Sequence, residues 1–472
     1  MGALLALIFG SYSQTRAFAW DEGFHLLAAQ LINRGRTPYL DFCFSQTPLN
    51  AYWNAGWMRL FGDTWRTAHA VAALMAMLAV LLAADYVLRY FPEALWRQPL
   101  AIAAACLTGL NIAVVEFGAI GQAYALCLFL MVSAFRLITL AVRRRGIVWA
   151  AAAGFAVCAA ADSSLLTAPA APVLLVWMFF ANGAGNRWRK VAAFVAGGAG
   201  AFAPLAWLFV QGPRRTVFSV LEYNLLYRRV GWAGAVQHNI EEWTAWIDSP
   251  PALILGLLAV AGLVFVWKHS AWNRALRREF YLCGWLGLAL MAHISTAVPT
   301  FTRYYLLAVP FLAIPACAGL YWAGSRLAAP ERPFWPVLAV ALISGSCLAK
   351  AIYDGRNDLT WADVERVAAK VQEVAPPQAR LLADESIYFL TRHRVPPGME
   401  LADSHKLALS PDEAARLHVI PQAELDRRIR AGVYDTVEVP ADATWTEKLD
   451  LPRLYAHSAE IEDMQIFWGP HR

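Results

Sequence analysis

Eleven apolar runs divide the first 353 residues, and every second loop between them is basic. The runs lie at about 1–14, 66–88, 99–116, 122–142, 147–162, 164–182, 191–210, 251–268, 279–298, 303–324 and 334–352. Arg89 and Arg97 follow the second run, Arg143 to Arg145 the fourth, and Arg187, Arg189 and Lys190 the sixth. Lys268, Arg274, Arg277 and Arg278 follow the eighth, and Arg326 and Arg332 the tenth. Lys and Arg concentrate in loops on the cytoplasmic side of a membrane. The alternation therefore predicts a polytopic α-helical membrane protein with about eleven spans. The long segments 15–65 and 211–250, and everything after about 353, then face outward.

Composition agrees with a membrane chain. Of 472 residues, 58% are hydrophobic and 16% charged, where a soluble domain carries about 25% charge. A net charge of +5, distributed in short clusters between apolar runs, does not suggest nucleic acid. Six of the seven Cys fall inside apolar runs and Cys43 stands alone, so neither a disulfide framework nor a zinc site is expected. The first ten residues lack the basic region and cleavage site of a signal peptide. They are also short for a span, which needs roughly 20 residues. Either the first helix extends over 11–16 or the chain starts further upstream.

From residue 354 onward charge is dense and long apolar runs stop. Helical patterns at 361–374 and 422–431 alternate with strand-like pieces at 380–383 and 436–439. This predicts two domains: a transmembrane domain over 1–353, and a small α/β domain over 354–472 on the outer side.

The first outer loop carries the chemistry-bearing pattern. It reads Trp20-Asp21-Glu22-Gly23-Phe24-His25, then Gly35-Arg36-Thr37-Pro38-Tyr39-Leu40-Asp41, then Pro48-Leu49 ahead of an aromatic stretch ending in Phe61-Gly62. A carboxylate just past a span is placed to accept a proton from an incoming hydroxyl. The ordinary alternative is that Asp21 and Glu22 begin a helix, where acidic residues are common.

These segments, in this order, resemble the first outer loop of the GT-C superfamily of polyprenyl-phosphate-sugar-dependent glycosyltransferases. That superfamily includes the protein O-mannosyltransferases and the aminoarabinose transferase of lipid A. Gln122-Ala123-Tyr124-Ala125-Leu126 and Arg303-Tyr304-Tyr305-Leu306, with Pro310-Phe311-Leu312 after it, resemble later helices of the same enzymes. The sequence departs from them twice. Gln122 stands where many relatives have an acidic residue, and Asp162-Ser163-Ser164 where many have a Lys.

The resemblance implies an inverting transfer of a sugar from a polyprenyl-phosphate carrier to a glycan, lipid or protein acceptor of the cell envelope. Asp21 would be the general base and Glu22 its partner. Tyr39, Tyr304 and Gln122 would contact substrate. Asp41 would bind sugar hydroxyls or hold the turn. His25, one helical turn after Asp21, and the carboxylates Glu116 and Asp162 at outer ends of spans are further substrate-binding candidates. Arg303 would fork onto the carrier phosphate, or else snorkel to lipid headgroups. Arg228 and Arg229, with Arg214 and Arg215, are basic residues on the outer side and candidates for anion contact. No cofactor is obligatory. A divalent metal is conceivable at Asp21, Glu22 and His25, without a ligand spacing that calls for one. The expected location is a bacterial inner membrane. The competing expectations are a transporter or flippase of lipid-linked sugars, which intramembrane charge would favour, and a catalytically silent relative.

Overall fold

The computed structural model describes residues 1–144, 146–181, 186–226, 232, 234–269, 272–327, 331–441 and 444–471. Two compact units emerge, each assembled from separated stretches of chain. The first comprises Met1–Ser13, Ala70–Ala203 and Gly234–Asn357; the second comprises Gln14–His69, Pro204–Ala233 and Asp358–Arg472. The division is therefore not a single cut near 353: the segment 14–69, read from sequence as a loop of the membrane domain, folds with the tail.

The first unit is helical. Each of the eleven apolar runs is helix over most of its length, but among the described residues five helices are long and apolar enough to cross a membrane, those beginning at Trp65, Tyr124, Pro250, Thr302 and Phe334. A sixth is added if Arg187–Ala201 and Ala203–Gln211 count as one broken span. Several runs are interrupted. The third divides into Ala94–Gly109 and Ile112–Phe117, because the Asn111 side chain accepts from Ala113 N and starts a new helix. The sixth divides at the 3₁₀ turn Leu165–Thr167 before Ala170–Ala181.

Small residues let these helices pack closely. A Cβ on Gly262 would lie 1.9 Å from Pro315 O, and one on Gly319 would lie 2.0 Å from Leu258 O, so each glycine admits the other helix's backbone. Gly154 and Gly197 do the same for Ile147–Ser163 against Arg187–Ala201, with Phe194 O at 1.9 Å and Ala151 O at 2.0 Å. Two clusters of charge within this unit are paired. Arg136 meets Asp85 at 2.6 Å, and buried Glu279 accepts from Arg143 at 2.5 Å and from the Tyr86 hydroxyl at 2.8 Å.

The second unit is mixed. Its sheet contains β1 (Leu381–Leu382), β2 (Thr436–Pro440), β3 (Tyr455–Ile461) and β4 (Met464–Pro470), in the order β1-β2-β4-β3. β1 and β2 run parallel, with Leu381 beside Thr436; β2–β4 and β4–β3 are antiparallel. A single core joins Val364, Val367 and Val371 of the Trp361–Val374 helix and Val437 and Ile466 of the sheet to Leu27, Leu31, Ala51 and Met58 of the 14–69 segment. Burying apolar side chains contributes roughly 1.5–3 kcal/mol each. Neither the tail nor the segment 14–69 buries its apolar face without the other.

Candidate functional site

Within the second unit, the helix Glu22–Asn33 opens with two carboxylates of opposite fate. Asp21 is the exposed residue preceding the first turn. Glu22 is 0% exposed. Its Oε1 lies 2.7 Å from His69 Nε2, and its Oε2 accepts from Trp361 Nε1 at 3.2 Å. Trp361 in turn stacks on Trp65, with ring centroids 5.3 Å apart. A buried carboxylate is tolerated only when hydrogen-bonded in this way. Glu22 thus anchors the start of the helix and leaves Asp21 facing outward from a fixed base. Sequence reasoning missed His69 and Trp361; the signal available was a lone His in an apolar helical stretch, one turn after Trp65.

His25 is buried against Phe24, stacked at 4.2 Å, with Asn50 Nδ2 3.5 Å from its Nδ1. Burial lowers its pKa to about 3, so the ring is neutral at physiological pH.

The 35–41 segment is a turn built from backbone requirements. Gly35, at φ +85°, follows the helix C-cap Arg34; its N–H donates to Ile32 O and that of Arg36 to Leu31 O. These two bonds close a Schellman motif, which needs the left-handed conformation that glycine adopts freely. Tyr39, at φ +68°, is buried and its hydroxyl donates to Gln46 O at 2.6 Å. Asp41 Oδ2 accepts from Thr37 N at 2.7 Å. Of the two roles open to Asp41, the geometry displays the turn-holding one, and Tyr39 too is a turn-holder here. Arg214 pairs with Glu222 and Glu413, and Arg215 donates to Leu40 O and Arg416 O, so both arginines act inside this unit. Arg228 and Arg229 lie outside the described residues.

Within the first unit, Glu116 and Arg303 line one cleft of about 390 Å³, together with Asn111, Trp246, Lys350 and Asp354. Gln122, Asp162 and Tyr304 are not among its lining residues. The Arg303 guanidinium sits 4.3 Å from the Phe301 ring centroid and 5.7 Å from that of Tyr304. The helix Ala235–Asp248 holds the strand of chain leading to it. Asn239 donates to Ser295 O and Ala297 O and accepts from Thr300 N, while Glu242 accepts from Thr302 N. Lys350, Asn239 and Glu242 were not singled out from sequence. Asp162 ends the helix Ile147–Ser163 fully buried, with both carboxylate oxygens unpartnered among the described residues, and Gln122 Nε2 is likewise buried without a partner there. Among the described residues no group of three or more His, Cys, Asp or Glu is arranged to hold a metal, the trio Asp21, Glu22 and His25 included.

No protein-family model matches the sequence, and neither does any curated protein. Solved structures do. Cupriavidus metallidurans ArnT bound to undecaprenyl phosphate superimposes with a TM-score of 0.68 at 16% identity, over 99% of this chain and 98% of that one. The apo form of the same protein gives 0.66 at 17% identity, over 100% and 98%. The chain has the ArnT fold. An aminoarabinose transferase was among the relatives that the first-loop motifs pointed to, so motif and fold agree. With its apolar helices, the ArnT fold makes this an integral, multi-pass membrane protein.

Proposed function

We propose that the chain is a membrane glycosyltransferase that moves a sugar from a polyprenyl-phosphate carrier to an envelope glycan, lipid or protein. The ArnT neighbour bound to undecaprenyl phosphate supports the donor class. The observation that carries the reading is the division of labour at residues 21 and 22: one carboxylate buried and anchored, its neighbour exposed on the same rigid helix start. A catalytic group is most effective on such a preorganised support.

In the proposed reaction Asp21 accepts the proton of the acceptor hydroxyl. The acceptor oxygen bonds to the sugar C1 as the bond from C1 to the phosphate oxygen breaks, through an oxocarbenium-like transition state. Polyprenyl phosphate leaves, and direct displacement inverts the anomeric centre. Arg303, in a cleft of its own unit, is assigned to the carrier phosphate, where a guanidinium stabilises growing negative charge. The reaction site and the second unit are assigned to the outward face of a bacterial inner membrane.

The test compares envelope glycans and lipid-linked sugars by mass spectrometry in a deletion strain complemented with wild type or with Asp21→Asn. One glycan should lose a single sugar in the deletion, regain it with wild type, and not regain it with Asp21→Asn at equal abundance. The missing mass identifies the sugar. Full restoration by Asp21→Asn removes Asp21 as the base and favours transport or a silent subunit.

A further inference from the structure

A second cleft, in the unit that carries Asp21, is lined by four arginines. It measures about 620 Å³ and is formed by Arg34, Arg36, Arg392 and Arg394 with Asp41 and Glu400. Four guanidinium groups against two carboxylates leave it net positive. Asp41 is engaged by the Thr37 N–H, and buried Glu400 by the Gly398 N–H at 2.9 Å and by Arg36 at 2.7 Å. Arg392 leans on Asp63 outside the cleft, at 3.5 Å. That leaves Arg34 and Arg394, neither of which has an ion-pair partner among the described residues. Burial lowers the pKa of Arg34; Asp63 opposes the shift and the neighbouring charge of Arg392 adds to it. Guanidinium groups gathered this way repel one another until an oxyanion lies between them.

We propose that this cleft binds an anionic oligosaccharide, a sugar chain bearing carboxylate or phosphate groups. Guanidinium forks match both oxyanions bidentately. The volume is that of an organic-ligand site and far exceeds an inorganic ion. Val395 and Pro397 add apolar wall against which the C–H faces of sugar rings pack, and the free lone pairs of Asp41 and Glu400 accept from hydroxyls. Naming the ligand a glycan rests on the transferase reading above and makes it the acceptor, or a part of it; the charge argument stands on the cleft alone.

The test is calorimetric titration of the purified full-length protein in detergent with four probes: tetragalacturonate, a 6-phosphorylated maltotetraose, neutral maltotetraose and inorganic phosphate. At least one charged tetrasaccharide should bind tenfold or more tightly than maltotetraose and than phosphate, and should weaken as salt rises. The tighter of the two charged sugars identifies the anion. Arg34→Gln combined with Arg394→Gln should weaken that binding at least tenfold. Arg366→Gln, an exposed arginine paired elsewhere in the unit, should leave it unchanged. Equal binding of neutral and charged sugars overturns the proposal, as does unchanged affinity in the double variant. Phosphate binding as tightly as the charged sugars overturns the glycan assignment. The measurement needs no donor and no turnover, so its outcome is independent of the transfer assay on Asp21→Asn.

Discussion

Replacing Glu22 with alanine strands the ring N–H groups of buried His69 and Trp361. Removing one partner so that a buried donor is left unsatisfied costs about 1–3 kcal/mol. Glu22→Ala should therefore lower the thermal midpoint of the detergent-solubilised protein clearly, whereas Asp21→Asn, at an exposed position, should leave it within about 0.5 kcal/mol of wild type. Equal midpoints for all three proteins would show that Glu22 anchors nothing. His25 gives a pH signature. Its pKa in the folded protein, about 3, lies below the ordinary 6.5, so between these values the unfolded chain binds more protons. Stability is then fully present above pH 6.5 and declines as pH falls toward 3, by up to about 1.4 kcal/mol per unit. Glu438, whose pKa burial raises to about 8, slopes the opposite way between 4.5 and 8. It is common to both proteins in a comparison of wild type with His25→Phe and drops out of the difference. That difference should open as chemical denaturation is repeated from pH 6.5 down to 4; parallel curves would show that His25 is not held neutral.

At the scale of elements, the close helix crossing at Gly262 and Gly319 makes a sharp prediction. Alanine raises helix propensity over glycine by about 1 kcal/mol, but at Gly319 the new methyl would lie 2.0 Å from a backbone carbonyl. Neither helix accommodates that without moving, and overpacking of this kind costs about 1–3 kcal/mol. Gly319→Ala should destabilise the protein in thermal unfolding. Gly256→Ala, where no atom lies within 4 Å, should be neutral or slightly stabilising; a stabilised Gly319→Ala would mean that the crossing is looser than drawn. Such elements were partly legible beforehand. The Trp361–Val374 helix has the bounds read from its pattern, because Thr360 and Asp363 form a capping box and Val364, Val367 and Val371 recur on one face. The β3–β4 hairpin was not anticipated. β3 is an edge strand, largely exposed, and its alternation is masked by His457, Ser458 and Glu460. The run 99–116 reads as one span because hydropathy does not register that Asn111 caps a new helix. In the site, the 35–41 motif was visible as a pattern, yet its content is φ angles and backbone bonds. The burial of Glu22 was invisible, since its partners lie 47 and 339 residues away.

For the whole molecule, the central fact is that the second unit is threaded from three parts of the chain. The tail was expected to be a small domain separate from the membrane domain. Its helix Trp361–Val374 instead supplies Trp361 to Glu22, and Phe389 O accepts from buried Gln30 Nε2 on the Asp21-bearing helix. A detachable accessory would leave a chain truncated after Asn357 folded, and merely altered in acceptor choice. A shared core predicts more. Removing the tail uncovers Leu27, Leu31, Ala51 and Met58 together, a loss of several side chains at roughly 1.5–3 kcal/mol each, comparable with the entire stability of an ordinary domain. The truncated chain should accumulate in membranes at a tenth or less of the full-length level. In whatever survives, brief proteolysis should cut within 14–69, which the intact protein protects. Normal accumulation with a protected 14–69 segment would show that the segment folds without the tail, and would restore the separate-domain view. The predicted outcome ties transfer chemistry to the tail through stability: Asp21 keeps its orientation only while Trp361 keeps Glu22 in place.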